Sequence, residues 1–178
     1  MARALKRVGA EVRKMDANVA SAGATGHFTV RPDESDASVW HVDMNGPERY
    51  QGPPTSSGER EERACPYAGR HFTGQVKFGD NYPFTPMTFT FDTPAPYHPN
   101  VDQEKGELCE DFVKSFWAPT RKCVDYLEHI YSLLANPDPE TALAADIAAE
   151  YRDNLASFEA KAASTGGAAG ASGGAGGK

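Results

Sequence analysis

Apolar positions recur along this chain with two different periods, and the change of period lays out the elements. Leu5, Val8, Val12 and Met15 are three or four apart, which predicts a first helix over residues 3–16 with one apolar stripe. Beyond it the period falls to two. Phe28 and Val30 predict a short strand, and Trp40, Val42 and Met44 a second. Phe72, Gly74, Val76 and Phe78 predict a third, and Met87, Phe89 and Phe91 a fourth. Thr73, Gln75, Lys77, Thr88 and Thr90 fall between them, as in a sheet that is wet on one face. The links are too short for crossover helices, so the strands should run as an antiparallel meander. Val124, Leu127, Ile130 and Leu134 predict one closing helix, and Leu143, Ile147, Tyr151, Leu155 and Phe158 another. Asn136-Pro137-Asp138-Pro139 breaks the chain between them. The expectation is one α+β domain over residues 1–162: a helix, a four-stranded antiparallel meander, an irregular segment and C-terminal helices.

Three stretches show no period. The Gly-, Pro- and charge-rich run from Gly46 to Cys65 reads as a long surface loop, a disordered stretch or simple insertion on one reading and a functional loop on the other. Residues 163–178, almost wholly Gly, Ala, Ser and Thr, read as a flexible tail. The irregular segment from Asp92 to Pro119 is kept out of long helix by Pro94, Pro96, Pro99 and Pro119. An unpatterned stretch of that length inside a domain is usually a functional surface.

Composition narrows the classes. The 178 residues are about one domain's worth, and the net charge of −7 argues against a general nucleic-acid coat. No apolar run reaches the roughly 18 residues of a membrane span. The first residues lack a signal-peptide apolar region, so the cytosol or nucleus is expected. The first helix has the opposite sign to the rest: Arg3, Lys6, Arg7, Arg13 and Lys14 outnumber Glu11 and Asp16. That face is either simply solvated or a docking surface. The three cysteines, Cys65, Cys109 and Cys123, form no C-x-x-C pair, so neither a disulfide framework nor a zinc site is expected.

Cys109 lies in the irregular segment between Glu107 and Glu110-Asp111. Acidic neighbours disfavour a thiolate, the reverse of what a cysteine hydrolase needs. A thiol that is a poor leaving group holds a thioester against stray exchange, which suits a carrier of an activated acyl group. His98 can close a turn or serve as a general base. Asn100 can hold backbone carbonyls or donate to a developing oxyanion. Cys65 and Cys123 carry no site pattern and read as structural.

Tyr82-Pro83-Phe84-x-Pro86, Tyr97-His98-Pro99-Asn100, Gly106-x-Leu108-Cys109, Trp117-x-Pro119 and Asn136-Pro137-x-Pro139 together resemble the ubiquitin-conjugating enzymes. Trp40, Gly46-Pro47, Pro66-Tyr67-Ala68-Gly69 and Ala4-Leu5-Lys6-Arg7 also fit, so the likeness spans about residues 3–160. The resemblance implies the same fold as the pattern does. It implies that Cys109 takes ubiquitin or a ubiquitin-like protein from an activating enzyme as a thioester. Transfer then goes to a substrate lysine or to a ligase cysteine, with no metal or cofactor. By the same matching Asn100 supports the site and stabilises an oxyanion, and His98 and Asp111 are supporting residues. Lys6 and Arg7 fall on the surface that meets the activating enzyme and ligases, and Phe84 and Pro119 on the loops that grip ligase domains. Three departures stand out: an insertion over residues 48–64, one extra residue between Asn100 and Cys109, and Thr141 where many lysine-active members carry an acid. The last implies preference for a cysteine on HECT-type or RING-between-RING ligases over direct transfer with RING ligases. The rivals are a catalytically weak ubiquitin-binding variant of the fold and a cysteine hydrolase. No nucleic-acid or membrane partner is expected.

Overall fold

The computed structural model describes residues 4, 6–11 and 26–169. In chain order the elements are helix α1 (helical over 6–11), β1 (Phe28–Pro32), β2 (Val39–Asn45), β3 (Arg49–Gln51) and β4 (Glu62–Ala64). Then follow β5 (Arg70–Lys77), β6 (Thr88–Phe91), α2 (Glu110–Phe116), α3 (Cys123–Ala135) and a 3-10 turn (Pro139–Thr141). Helices α4 (Ala145–Asp153) and α5 (Leu155–Ser164) and the short β7 (Ala168–Ala169) follow as the last elements of the described residues. The remainder of the expected first helix and the end of the expected tail lie outside the described residues.

The four expected strands form one antiparallel sheet in the order β1-β2-β5-β6. Trp40 lies opposite Val76, Val42 opposite Gly74 and Met44 opposite Phe72. A shift of one residue would turn these apolar side chains to the wet face, so burial fixes the register. Trp40, Val42, Met44, Phe72, Val76, Phe89 and Phe91 are buried together with Cys123, Tyr126, Leu127, Ile130 and Leu134 of α3 in one core. Val8 of α1, Ile147 and Tyr151 of α4, and Phe158 of α5 join that core.

Four expectations are corrected. The run read as a loop or insertion contains the paired strands β3 and β4, with Tyr50 facing Arg63. The last predicted helix is two, because Asn154 ends α4 and caps α5, its side chain accepting from Ser157 N at 3.3 Å. Leu143 precedes both and is exposed. The irregular segment contains the seven-residue α2, which buries Val113. The tail does not begin at 163: α5 runs through Ser164, and β7 pairs with Arg70 and His71 of β5. Arg70 holds it there by donating to the carbonyls of Ala163, Gly166 and Gly167.

Glu11 is not part of a solvated face. It is 5% exposed. Its Oε1 accepts from Arg7 Nε at 2.8 Å and from Tyr82 OH at 2.6 Å, while Oε2 accepts from the backbone N of Cys123 at 2.8 Å. A buried carboxylate is tolerated because each oxygen is paired. The carboxylate thereby ties α1 to the start of α3 and to the loop before β6.

Candidate active site

Residues 100–109 form a hairpin. Val101 bridges Leu108 in antiparallel register, and Asp102 N donates to Glu107 O at 2.9 Å. Continued outward by one pair, that register sets Asn100 opposite Cys109. The length of the segment is spent in the turn, where Asp102 Oδ1 accepts from Glu104 N at 2.9 Å and Lys105 N at 2.8 Å. Gly106 closes it at φ 72°, and a Cβ there would meet Phe91 O at 2.0 Å, so only glycine fits. This close approach lets Phe91 N donate to Gly106 O at 2.9 Å, while Thr90 bridges Glu107. The hairpin is thus pinned to the outer edge of β6.

Cys109 directly precedes α2, and its carbonyl accepts from Val113 N at 3.2 Å. Its side chain is partly exposed, whereas Cys65 and Cys123 are buried. Burial pushes the Cys65 thiol up to about 12 and the Cys123 thiol well above its ordinary range, so neither ionises near neutrality. Glu107, Glu110 and Asp111 are exposed around Cys109, with Glu110 paired to Lys114 at 2.7 Å. The acidic rim read from the sequence exists, and one of its charges is offset.

His98 is fully buried. Its Nδ1 accepts from Asn100 N at 3.1 Å, which leaves Nε2 as the protonated nitrogen, donating to Leu133 O at 3.1 Å. Burial pushes the imidazole down to about 3. Both ring nitrogens are taken up by backbone groups, the arrangement of a histidine that closes a turn. Pro99 O accepts from Leu143 N at 2.9 Å and Ala144 N at 3.0 Å. Asn100 is 1% exposed and its amide is fully used. Nδ2 donates to Asp138 O at 2.7 Å and to Thr141 O at 3.2 Å, and Oδ1 accepts from Asp138 N at 2.9 Å. The one turn His98-Pro99-Asn100 therefore holds three segments: the end of α3, the 138–141 loop, and the entry to α4.

Asp138 shapes that loop, accepting from Glu140 N at 3.0 Å and from Thr141 Oγ1 at 2.7 Å. Thr141 thus brings a hydroxyl, already donated to Asp138, and no carboxylate. Pro139 after a capping Asp is a helix-start signal that the sequence does display. Glu11 and Asp138 were not among the expected site residues; Tyr82, Cys123 and Asn100, which they join to their own segments, are distant in sequence, and only the 3-10 start has a local signature.

Hydrogen bonds join the three segments that carry the four expected docking residues. Trp117 Nε1 donates to Pro83 O at 2.9 Å, joining the loop of Phe84 to the loop of Pro119. Phe84 is 62% exposed and Pro119 is exposed. Arg7 Nη2 donates to Arg121 O at 3.1 Å, joining α1 to the Pro119 loop, and Lys6 is exposed beside it on α1. Behind this, His129 stacks between Phe112 and Phe116 at 4.1 and 4.0 Å, and Arg121 lies 3.8 Å over Phe116. The column packs α2, and so the approach to Cys109, against α3. Among the described residues no cluster of His, Cys, Asp and Glu could hold a metal ion, and no helix is long and apolar enough to cross a membrane.

A family profile described as ubiquitin-conjugating enzyme matches residues 60–165. A curated relative in Arabidopsis thaliana, named "Probable ubiquitin-conjugating enzyme E2 31", is 30% identical over 135 residues, covering 76% of this chain and 77% of the relative. The Schizosaccharomyces pombe "Ubiquitin-conjugating enzyme E2 14" is 42% identical over 94 residues, covering 52% of this chain and 59% of that protein. Among solved structures, one titled "Crystal structure of a putative ubiquitin conjugating enzyme from Plasmodium yoelii" superposes with a TM-score of 0.72 at 26% identity, covering 90% of this chain and 91% of that one. A Toxoplasma gondii E2 domain at 23% identity and TM-score 0.69 shares the fold. The profile and the Arabidopsis relative each cover most of the chain, and the hairpin with its cysteine lies inside the matched span: the protein belongs to the ubiquitin-conjugating enzyme family, whose members are transferases that work with ubiquitin, an activating enzyme and ligases.

Proposed function

We propose that Cys109 carries ubiquitin, or a ubiquitin-like protein, as a thioester. The Cys109 thiolate attacks the modifier's C-terminal carbonyl on the activating enzyme. A new S–C bond forms, the old one breaks, and the activating enzyme's cysteine leaves as a thiolate. A ligase cysteine or substrate lysine then attacks the same carbonyl, loses its proton, and Cys109 leaves. The observation that carries this reading is the juxtaposition at the hairpin mouth: the one cysteine that is not buried follows Leu108, whose bridge to Val101 sets it across the register from Asn100.

Asn100 acts in this reading as a positioning residue. Both its amide hydrogens are given to the 138–141 loop, so it holds that loop at the open end of the hairpin. An oxyanion would gain a donor from it only by displacing one of those bonds. Thr141 supplies no carboxylate to take the proton of an incoming lysine, whose ordinary pKa is about 10.4. Transfer to a ligase cysteine is therefore favoured over direct transfer to lysine. Lys6, Arg7, Phe84 and Pro119 form the surface that meets the activating enzyme and the ligase, where the exposed Lys6 suits an acidic partner.

Incubation with activating enzyme, ATP and ubiquitin, followed by a non-reducing gel, tests the proposal. A band one ubiquitin heavier, lost with reductant and absent from Cys109→Ala, is expected. The same band in Cys109→Ala, or no adduct with any ubiquitin-like protein, overturns it.

A further inference from the structure

The β3–β4 hairpin reaches the active-site loop. Its arms close through Gly52 N to Glu61 O at 2.9 Å and Thr55 N to Glu59 O at 2.8 Å. Its base is tied to α5, where Tyr50 OH and Arg63 Nε share Glu159 Oε1 at 2.7 and 2.8 Å. Its middle is tied to α4, Tyr151 OH donating to Gln51 O at 2.6 Å. Beyond these anchors the half-buried Arg60 donates through Nη2 to Pro137 O at 2.6 Å.

That carbonyl belongs to the same peptide group as the N–H of Asp138, and Asp138 N donates to Asn100 Oδ1 at 2.9 Å. Arg60 and Asn100 therefore grip opposite edges of one planar peptide. The guanidinium is permanently charged and geometrically stiff, and a charged donor on the carbonyl polarises the N–H on the other side. Without it the Pro137–Asp138 peptide is held from the Asn100 side alone. We infer that Arg60, on the β3–β4 hairpin, is a positioning residue that orients the Asn100 side chain opposite Cys109. The consequence for turnover rests on the reading of Cys109 as acceptor; the coupling of Arg60 to Asn100 does not.

Two measurements separate them. On the uncharged protein, amide hydrogen exchange at Asp138 is followed by NMR in wild type, Arg60→Ala, Arg60→Lys and Arg49→Ala. Arg49 pairs with Glu62 on the exposed side of the same hairpin and serves as control. Asp138 exchange should rise roughly tenfold in Arg60→Ala relative to core amides such as Val76, fall back partly in Arg60→Lys, and be unchanged in Arg49→Ala. Unchanged Asp138 exchange, or an equal rise at Val76, overturns the inference whatever Cys109 does. On the charged protein, single-turnover discharge should slow roughly 3- to 30-fold in Arg60→Ala, with no further slowing when Arg60→Ala is added to Asn100→Ala. Additive slowing in the double variant overturns it. Failure of the wild type to charge counts against the Cys109 reading and leaves the exchange measurement to decide Arg60.

Discussion

His98 should make the fold lose stability well above the pH at which carboxylates titrate. The imidazole is buried and neutral, pushed from the ordinary 6.5 down to about 3. Its Nδ1 is occupied by the N–H of Asn100, so a proton placed there faces a donor and breaks that bond. The unfolded chain binds this proton near pH 6.5 and the folded chain only near 3. The contribution is therefore complete above 6.5 and is lost as the pH falls from 6.5 towards 3. Each unit is about 1.4 kcal/mol, which gives about 2 kcal/mol lost by pH 5 and at most roughly 5 kcal/mol by pH 3. Urea unfolding at pH 7.5 and 5.0 in wild type and His98→Asn measures it. His129, also shifted down by burial, contributes the same sign in both proteins and cancels. Glu150, held down to about 2 by Lys161, Tyr97 and Ser157, loses its contribution as the pH falls from 4.5 towards 2, below both pH values compared here. Wild type should lose about 2 kcal/mol more than His98→Asn. Equal losses, or a His98 ring resonance that titrates near 6.5, would refute the reasoning.

Three other outcomes follow from the same contacts. Glu11→Ala strands Tyr82 OH and the Cys123 N–H in the interior, and should lower unfolding free energy by about 3–5 kcal/mol in denaturant titration; a change under 1 kcal/mol would show these groups find other partners. Leu127→Ala empties a fully buried site in α3 and should cost about 2–5 kcal/mol. Thr141→Asp places a carboxylate on the 3-10 turn and should raise discharge onto free lysine relative to free cysteine by roughly tenfold; an unchanged ratio would remove Thr141 from acceptor choice.

The sheet was legible because β2, β5 and β6 are long enough for a two-residue period to show and one face is buried throughout. Phe28 with Val30, only two apolar positions, still marked β1 correctly. The β3–β4 hairpin was not legible, since each arm is three residues long and its support is the distant Glu159 rather than an apolar stripe. Helix α2 is under two full turns, though Phe112 and Phe116, four apart, are its one readable trace. The split between α4 and α5 hid because the apolar positions keep helical spacing across Asn154; the capping residue was the only local sign. In the candidate site, Cys109 stands out in the sequence by its flanks, and His98 and Asn100 by their motif. What they hold was not, since Leu133, Asp138 and Thr141 lie 35 to 41 residues away. Glu11 looked like a surface charge because the groups that pair with it, Tyr82 and Cys123, are 71 and 112 residues on.

The central claim is that one cysteine, Cys109, carries the modifier. Peptide mapping by mass spectrometry after charging with activating enzyme, ATP and ubiquitin, in wild type and Cys109→Ser, tests it most directly. The modifier's C-terminus is expected on the peptide containing Cys109 in wild type, and a reductant-resistant ester on the same peptide in Cys109→Ser. Attachment at Cys65 or Cys123, or at a lysine with Cys109 left free, would contradict it.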